Sequence, residues 1–347
     1  MKKIVLGFLA VTLLLYGDEY DFDMDAIEQK PYEYSGYLRA EDKIEDRDNN
    51  LHIEGLFVFL YSYDLFRFKT SLMAGYDYRK EQVDKGYSQI DELYVESKLT
   101  QNHTFLIGKE SLKWGKGYFF NPVAFFDRVK NPSEPTQARE GYSIVKYSYN
   151  KSFSTQLKNL SFDFLYLPSS ESLNSAYHQS VTDKKNSNNI AARLYLLLYD
   201  TDIDIIYNYS DVADKKIGID FSKNLEVNFE IHAEYAKILD LSSSYLFGFR
   251  YLTDSDLTII SEYFYNSFDV IKDEEDYIVT LITQKEPFDL LYGSVYFKNM
   301  INLQDELQQN KIGFTYSFKN SMDLDISYNL NEKEREDFLW FRLSWNF

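Results

Sequence analysis

The chain has no cysteine, so neither a disulfide framework nor thiol chemistry is open to it. Proline is scarce, 6 in 347 residues, and no stretch rich in proline, glycine or serine divides the chain. There are only 4 histidines. His52, His103, His178 and His232 are scattered, none at metal-ligand spacing or beside a serine suited to nucleophilic attack. His232 shares a face with Glu230 and Glu234, which a polar, water-lined wall explains. No catalytic residue, metal site or cofactor is expected, and the chain does not read as an enzyme. Positive charge is also short: 37 Lys and Arg against 55 Asp and Glu leave a net charge of −18, which nucleic-acid phosphates would repel.

Long apolar runs are missing too, with one exception. Met1-Lys2-Lys3 followed by the apolar stretch from Ile4 to Tyr16 reads as a signal peptide over residues 1–17. It falls short of the ~20 residues a membrane helix needs. Residues 18–31 then read as a periplasmic N-terminal segment, and 32–347 as one further unit. With no other helix-length apolar run, that unit is either soluble or spans a membrane as strands. Its 31 Tyr and 27 Phe, and many short segments alternating apolar with polar residues, favour strands.

Period two resolves about eighteen candidate strands, near 32–42, 51–62, 66–79, 88–99, 103–111, 141–150, 156–167, 189–199, 202–210, 215–222, 225–236, 244–253, 256–266, 276–285, 289–299, 309–319, 321–330 and 337–347. The weakest are 215–222 and 276–285, so sixteen is the alternative count. Most connections alternate short and long. Short turns fall at Tyr63-Asp64-Leu65, Gln101-Asn102, Asp200-Thr201, Lys223-Asn224, Thr253-Asp254-Ser255 and Lys319-Asn320. Long connections include 112–140, 168–188, 267–275 and 300–308. From a periplasmic amino end, every short turn falls on the periplasmic side, as in outer-membrane barrels. The expected fold is all-β: a transmembrane antiparallel up-and-down β-barrel in a bacterial outer membrane, among lipid and lipopolysaccharide. A TonB-dependent transporter is excluded, because 22 strands and a plug do not fit this length.

The faces separate as a barrel wall requires. Phe66, Phe68, Thr70, Leu72, Ala74, Tyr76 and Tyr78 suit lipid; Arg67, Lys69, Ser71, Met73, Gly75, Asp77 and Arg79 suit water. Tyrosines such as Tyr147, Tyr149, Tyr207, Tyr209, Tyr263 and Tyr265 cluster at strand ends, where interfacial girdles lie. The last segment puts Leu339, Phe341, Leu343, Trp345 and Phe347 on one face and Arg342, Ser344 and Asn346 on the other. An exposed apolar edge of that kind invites aggregation unless a barrel closes over it. Trp345 and the terminal Phe347 resemble the signal that outer-membrane proteins present to the barrel-assembly machinery.

The longest connection, Ser111 to Glu140, is aromatic and locally basic. From 109 to 139 it carries six cations (Lys109, Lys113, Lys116, Arg128, Lys130, Arg139) against Glu110, Asp127 and Glu134. So apolar a loop is not expected to stay in solvent. Folded into the lumen, it either braces the wall or forms a constriction of Lys109, Lys113, Trp114, Lys116, Tyr118, Phe119 and Arg128 that offers cations and ring faces to a passing anion or sugar. Arg67, Lys69, Arg79, Glu92, Tyr94, Glu96, Lys98, Arg193, Glu230, Arg250, Glu262 and Arg342 are expected to line the lumen, with Glu226 and Glu234 on the same faces. The charged runs 41–48, 272–276 and 331–337 read as solvated outer tips.

The segment Glu92 to Lys98, the run Leu106 to Gly117 with its Trp114-Gly115 pair, Asn121-Pro122, and the later Glu286 to Asp289 and Asn302 to Asp305 resemble outer-membrane porins of the alginate-export type or related uncharacterised outer-membrane barrel families. The resemblance covers two patches of the chain. It implies an eighteen-stranded barrel that passes anionic or polar solutes. Acidic residues on the inward faces depart from the basic lumen such exporters are expected to have. The expected function is passive diffusion of small polar or anionic solutes, such as sugars or organic acids. A barrel-borne enzyme and a non-conducting adhesive or structural barrel are the alternatives.

Overall fold

A computed structural model describes residues 30–45, 49–79, 85–181, 186–239, 241–267, 275–331 and 337–347. The expected leader at 1–17, residues 18–29, parts of the charged outer tips and the side chain of Arg79 lie outside the described residues. Eighteen strands form one sheet: β1 Tyr32–Ile44, β2 Asn49–Tyr63, β3 Phe66–Arg79, β4 Lys85–Lys98, β5 His103–Glu110, β6 Tyr142–Ser152, β7 Leu157–Ser170, β8 Asn186–Leu198, β9 Thr201–Ser210, β10 Lys216–Glu226, β11 Phe229–Ile238, β12 Ser242–Leu252, β13 Leu257–Asn266, β14 Glu275–Lys285, β15 Gly293–Asn302, β16 Gln308–Ser317, β17 Met322–Asn331 and β18 Phe338–Asn346. Each pairs antiparallel with its chain neighbours, and β18 returns to β1 from Tyr37 opposite Asn346 to Ile44 opposite Leu339. Beyond that ladder Gly36 N–H donates to Phe347 O at 2.9 Å, and Phe347 N–H to Gly36 O at 3.1 Å. The terminal residue thus belongs to the closing seam, and no apolar edge is left.

Both weak segments are full strands, β10 and β14, so the count is eighteen and not sixteen. The eight connections that follow even-numbered strands gather with the start of β1 and the end of β18 at one rim, the short-turn rim. The others form the long-loop rim.

Several boundaries shift by a few residues from the sequence reading, and three of the differences have a clear cause or consequence. Lys223-Asn224 is no turn: Lys223 pairs with Thr201 on one side and Ile231 on the other, and the chain reverses at Val227-Asn228. Two flanking ladders outweigh a turn-like dipeptide. There Asn228 Nδ2 donates to Leu252 O at 2.9 Å, and Glu226, expected inside, is exposed. Strand β15 begins at Gly293 and not near 289, because Pro287 lacks a ladder donor and Glu286, Phe288, Asp289 and Tyr292 all take positive φ. The connection placed at 168–188 shortens to 171–185, and one short helix, α1 (Ser175–Val181), folds within it.

Alternation holds round the wall. Ser71 and Met73 are buried while Leu72 and Tyr76 are exposed; His232, Glu234 and Ala236 are buried while Tyr235 is exposed. A bulge in β4 breaks the pattern mid-wall, since Ser71 pairs with Glu92 and Leu72 with Ile90, leaving Asp91 as the extra residue; register also shifts near the strand ends at Asn224/Glu226 and Leu157/Asn159. The outward face carries Ile53, Phe57, Leu93, Val95, Ile205, Ile219, Phe247, Phe297 and Ile312, all exposed. Outward tyrosines ring both rims: Tyr76, Tyr207, Tyr209 and Tyr245 at one, Tyr34, Tyr61, Tyr63 and Tyr251 at the other. An apolar belt between aromatic girdles is the exterior that lipid requires of a barrel.

Candidate functional site

Residues 111–141, between β5 and β6, do not extend away from the barrel. They run to inward-facing side chains of β9–β11, β13, β15 and β18. The join begins with two carboxylates. Glu234, 2% exposed on β11, accepts the backbone N–H groups of Lys116 and Gly117, each at 2.6 Å, and of Val123 at 3.2 Å. Glu262, 1% exposed on β13, accepts the N–H of Tyr118 and, at 2.9 Å, that of Phe119. His232 Nε2 lies 3.0 Å from the same Glu262 carboxylate. A buried carboxylate is costly unless donors replace its water, and here five backbone amides do so.

The Trp-Gly-Lys-Gly sequence explains this geometry. Gly115 has φ 98°, and a Cβ there would meet Glu234 Oε1 at 2.7 Å. A Cβ on Gly117 would meet Phe120 O at 2.4 Å. Only glycine lets this backbone turn and approach the carboxylate so closely.

The loop's aromatic side chains form two apolar clusters with the wall. Trp114, Val123, Phe125 and Phe126 pack with Tyr94, Leu106, Leu165, Leu167 and Ile206. Phe119 and Phe120 pack with Leu246, Phe264 and Val279, Phe120 stacking on Phe264 at 4.1 Å between ring centroids. Phe126 also meets Tyr177 of α1 edge-on at 5.5 Å. Burying each ring contributes roughly 1.5–3 kcal/mol. Trp114 and Phe119, expected to offer their faces to a solute, are instead 4% and 1% exposed, because the clusters enclose them.

Four of the six cations between 109 and 139 reach carboxylates. Lys116 Nζ lies 3.0 Å from Asp204 and 3.9 Å from Asp220, and Arg193 bonds Asp204 at 2.8 Å while lying 5.6 Å over Trp114. Arg128 and Lys109 both reach Glu140 at 2.5 Å, and Arg139 reaches Asp127 at 3.1 Å. Lys130 Nζ donates to Gly117 O, and burial holds its ammonium below the usual lysine range against the pull of Glu234 and Glu262. Tyr118 Oη donates to Glu230 at 3.0 Å, and burial, helped by the Glu230 charge, pushes the phenol up to about 12. Lys113 is exposed, though its N–H donates to Asp127 at 2.9 Å.

Among the residues expected to line the lumen, Lys69 pairs with Glu92 at 2.5 Å and Tyr94 is buried beside the loop. Glu96 is half-buried, whereas Arg67, Lys98 and Arg250 have inward parity but sit exposed near the short-turn rim. Arg342 bonds Glu41 at 2.7 Å and also Glu134 of the loop. Sequence reasoning missed Asp204, Asp220, Lys298 and Lys311. Their period-two parity was the available signal, since Ile203, Ile205 and Tyr207 mark the outward face of β9.

At the long-loop rim a cavity of about 480 Å³ opens between β1, β2, β15–β18 and loop residues 131–134. Its lining combines inward or loop amides (Asn50, Asn131, Gln309, Asn329), the rings of Phe338 and Trp340, and Lys298 and Lys311. Among the described residues no cluster of His, Asp and Glu has metal-binding geometry.

The fold and these inward contacts define a closed eighteen-stranded outer-membrane type of β-barrel. No known protein family profile matches the chain, and no curated protein matches it. Solved structures do. An engineered variant of a porin from Rhodopseudomonas blastica aligns over 91% of this chain and 100% of its own, with a TM-score of 0.53 and 12% identity. Wzi, an Escherichia coli outer-membrane protein of group 1 capsule assembly described as a carbohydrate-binding β-barrel, aligns over 91% of this chain and 84% of its own, with a TM-score of 0.61 and 10% identity. At such identities the likeness is one of fold. Both neighbours are outer-membrane barrels, and the alginate-export resemblance finds no counterpart among the matches described.

Proposed function

We propose that the chain is a constricted outer-membrane channel: residues 111–141 fold into the lumen from the outer side and leave a narrow path for small polar or anionic solutes. The observation that carries this reading is the seam of five loop amides on Glu234 and Glu262, flanked by the two apolar clusters. A loop so held narrows the lumen permanently. The short-turn rim and Phe347 face the periplasm, the assembly machinery acts on the Trp345–Phe347 end, and lipid with lipopolysaccharide covers the outward belt. In planar bilayers the purified barrel gives a small, stable conductance. A silent barrel that retains its fold refutes the channel. Because Lys116 and Arg128 are paired, their cationic charge holds the loop in place. Lys113→Gln leaves the reversal potential nearly unchanged, and a large shift toward cations would return selectivity to the loop.

A second reading is a carbohydrate-binding barrel that does not conduct. The amide- and ring-lined cavity at the long-loop rim favours it, as does the likeness in fold to Wzi. It predicts silence in bilayers together with retention of oligosaccharide.

A further inference from the structure

The rim cavity has a charge arrangement that the loop seam does not explain. Lys298 of β15 and Lys311 of β16 stand directly opposite one another in the ladder. Like charges so placed are destabilising. The chain carries 55 acidic residues, yet none of the described ones lies within ion-pair distance of either ammonium. Lys311 Nζ rests 3.9 Å over the ring of Trp340, and Lys298 Nζ donates to Pro132 O of the loop. A lysine ammonium has three donors, so both retain capacity.

The two carboxylates in the lining are already held. Glu41 and Glu134 share Arg342, and Lys43 is taken by Glu45 at 2.5 Å. The lining therefore presents two lysines with no carboxylate in direct contact beside amides able both to donate to and to accept from hydroxyl groups.

We propose that this cavity is a binding site for a small polyhydroxylated carboxylate of sugar-acid type, with its carboxylate between Lys298 and Lys311 and its hydroxyls on the amides of Gln309 and Asn329. At about 480 Å³ the cavity falls within the ~300–1,000 Å³ of small-molecule sites. The assignment rests on the reading that solute approaches from the long-loop rim, but it does not need the solute to pass through.

The test is calorimetric titration of the intact barrel in detergent with glucuronate and with glucose. Glucuronate binds at least tenfold more tightly than glucose, and Lys311→Gln removes about tenfold or more of that affinity while glucose is unaffected. Lys298→Gln does the same; because it also loses the loop contact, its fold is checked by the heat-dependent shift in gel mobility. Equal affinity for the two sugars overturns the proposal, as does a folded Lys311→Gln barrel that binds glucuronate like the parent. Sulfate binding as tightly as glucuronate would remove the sugar from the assignment. Conductance separates the two readings: a silent barrel that binds glucuronate leaves this site standing without the channel, and a conducting barrel that ignores glucuronate does the reverse.

Discussion

Replacing Glu234 by alanine removes the acceptor for three backbone amides at once, those of Lys116, Gly117 and Val123. Each buried donor left without a partner costs about 1–3 kcal/mol, and water entering the gap recovers part of it. Three such donors, less what water recovers, come to about 3–5 kcal/mol, which we take as the loss in the local stability of the loop. The apolar clusters remain, so the barrel stays closed and the loop alone loosens. Amide exchange over residues 112–126 then accelerates by roughly a hundredfold to a few thousandfold. Exchange in β1, β2 and β16–β18, far from Glu234, does not change. In bilayers the same variant shows larger or flickering conductance, and Glu234→Gln lies between, since its amide keeps one acceptor oxygen. Unchanged exchange across 112–126 in a folded Glu234→Ala barrel would refute the idea that wall carboxylates hold this loop.

One further substitution and one deletion probe the frame. Gly115→Ala places a methyl group against Glu234 at a backbone angle L-residues avoid, so it reproduces much of the Glu234→Ala exchange pattern without touching a charge. Deleting Phe347 removes both hydrogen bonds to Gly36, lowering the yield of folded barrel in refolding into detergent or lipid; equal yield would make that seam dispensable.

The wall was readable because lipid and water impose opposite demands on successive residues, and period two records those demands directly. Leu72 against Ser71, or Tyr235 against Glu234, needs no knowledge of neighbours. The reversal at Val227-Asn228 was not readable, because β9 and β11 fix the register of Lys223 and outvote its turn-like character. The bulge at Asp91 is hidden for the same reason. The loop was legible in composition but not in destination. Lys116 meets Asp204, Glu134 meets Arg342 and Tyr118 meets Glu230 across spans of roughly a hundred residues or more, set by where each strand stands around the circumference. A sequence reveals which face a residue takes, and the barrel's closure decides what it confronts.

Charge illustrates the point. Read alone, the six cations between 109 and 139 look like a selectivity element in an acidic chain. In place, Lys116 answers Asp204 and Asp220, Arg128 and Lys109 answer Glu140, and Arg139 answers Asp127. Lys116 thus answers carboxylates of the wall, while the Arg128 and Arg139 pairs close within the loop itself, and each pairing spares a buried group from carrying uncompensated charge. Lys298 and Lys311, with no described carboxylate within ion-pair distance, lie on the wall near the long-loop rim and not among the loop's charged pairs. If the lumen is narrowed and a solute bound as proposed, the two tasks fall to different strands, β9–β13 for the first and β15–β16 for the second. Substitutions at Glu234 alter conductance without altering ligand affinity, and substitutions at Lys311 do the opposite.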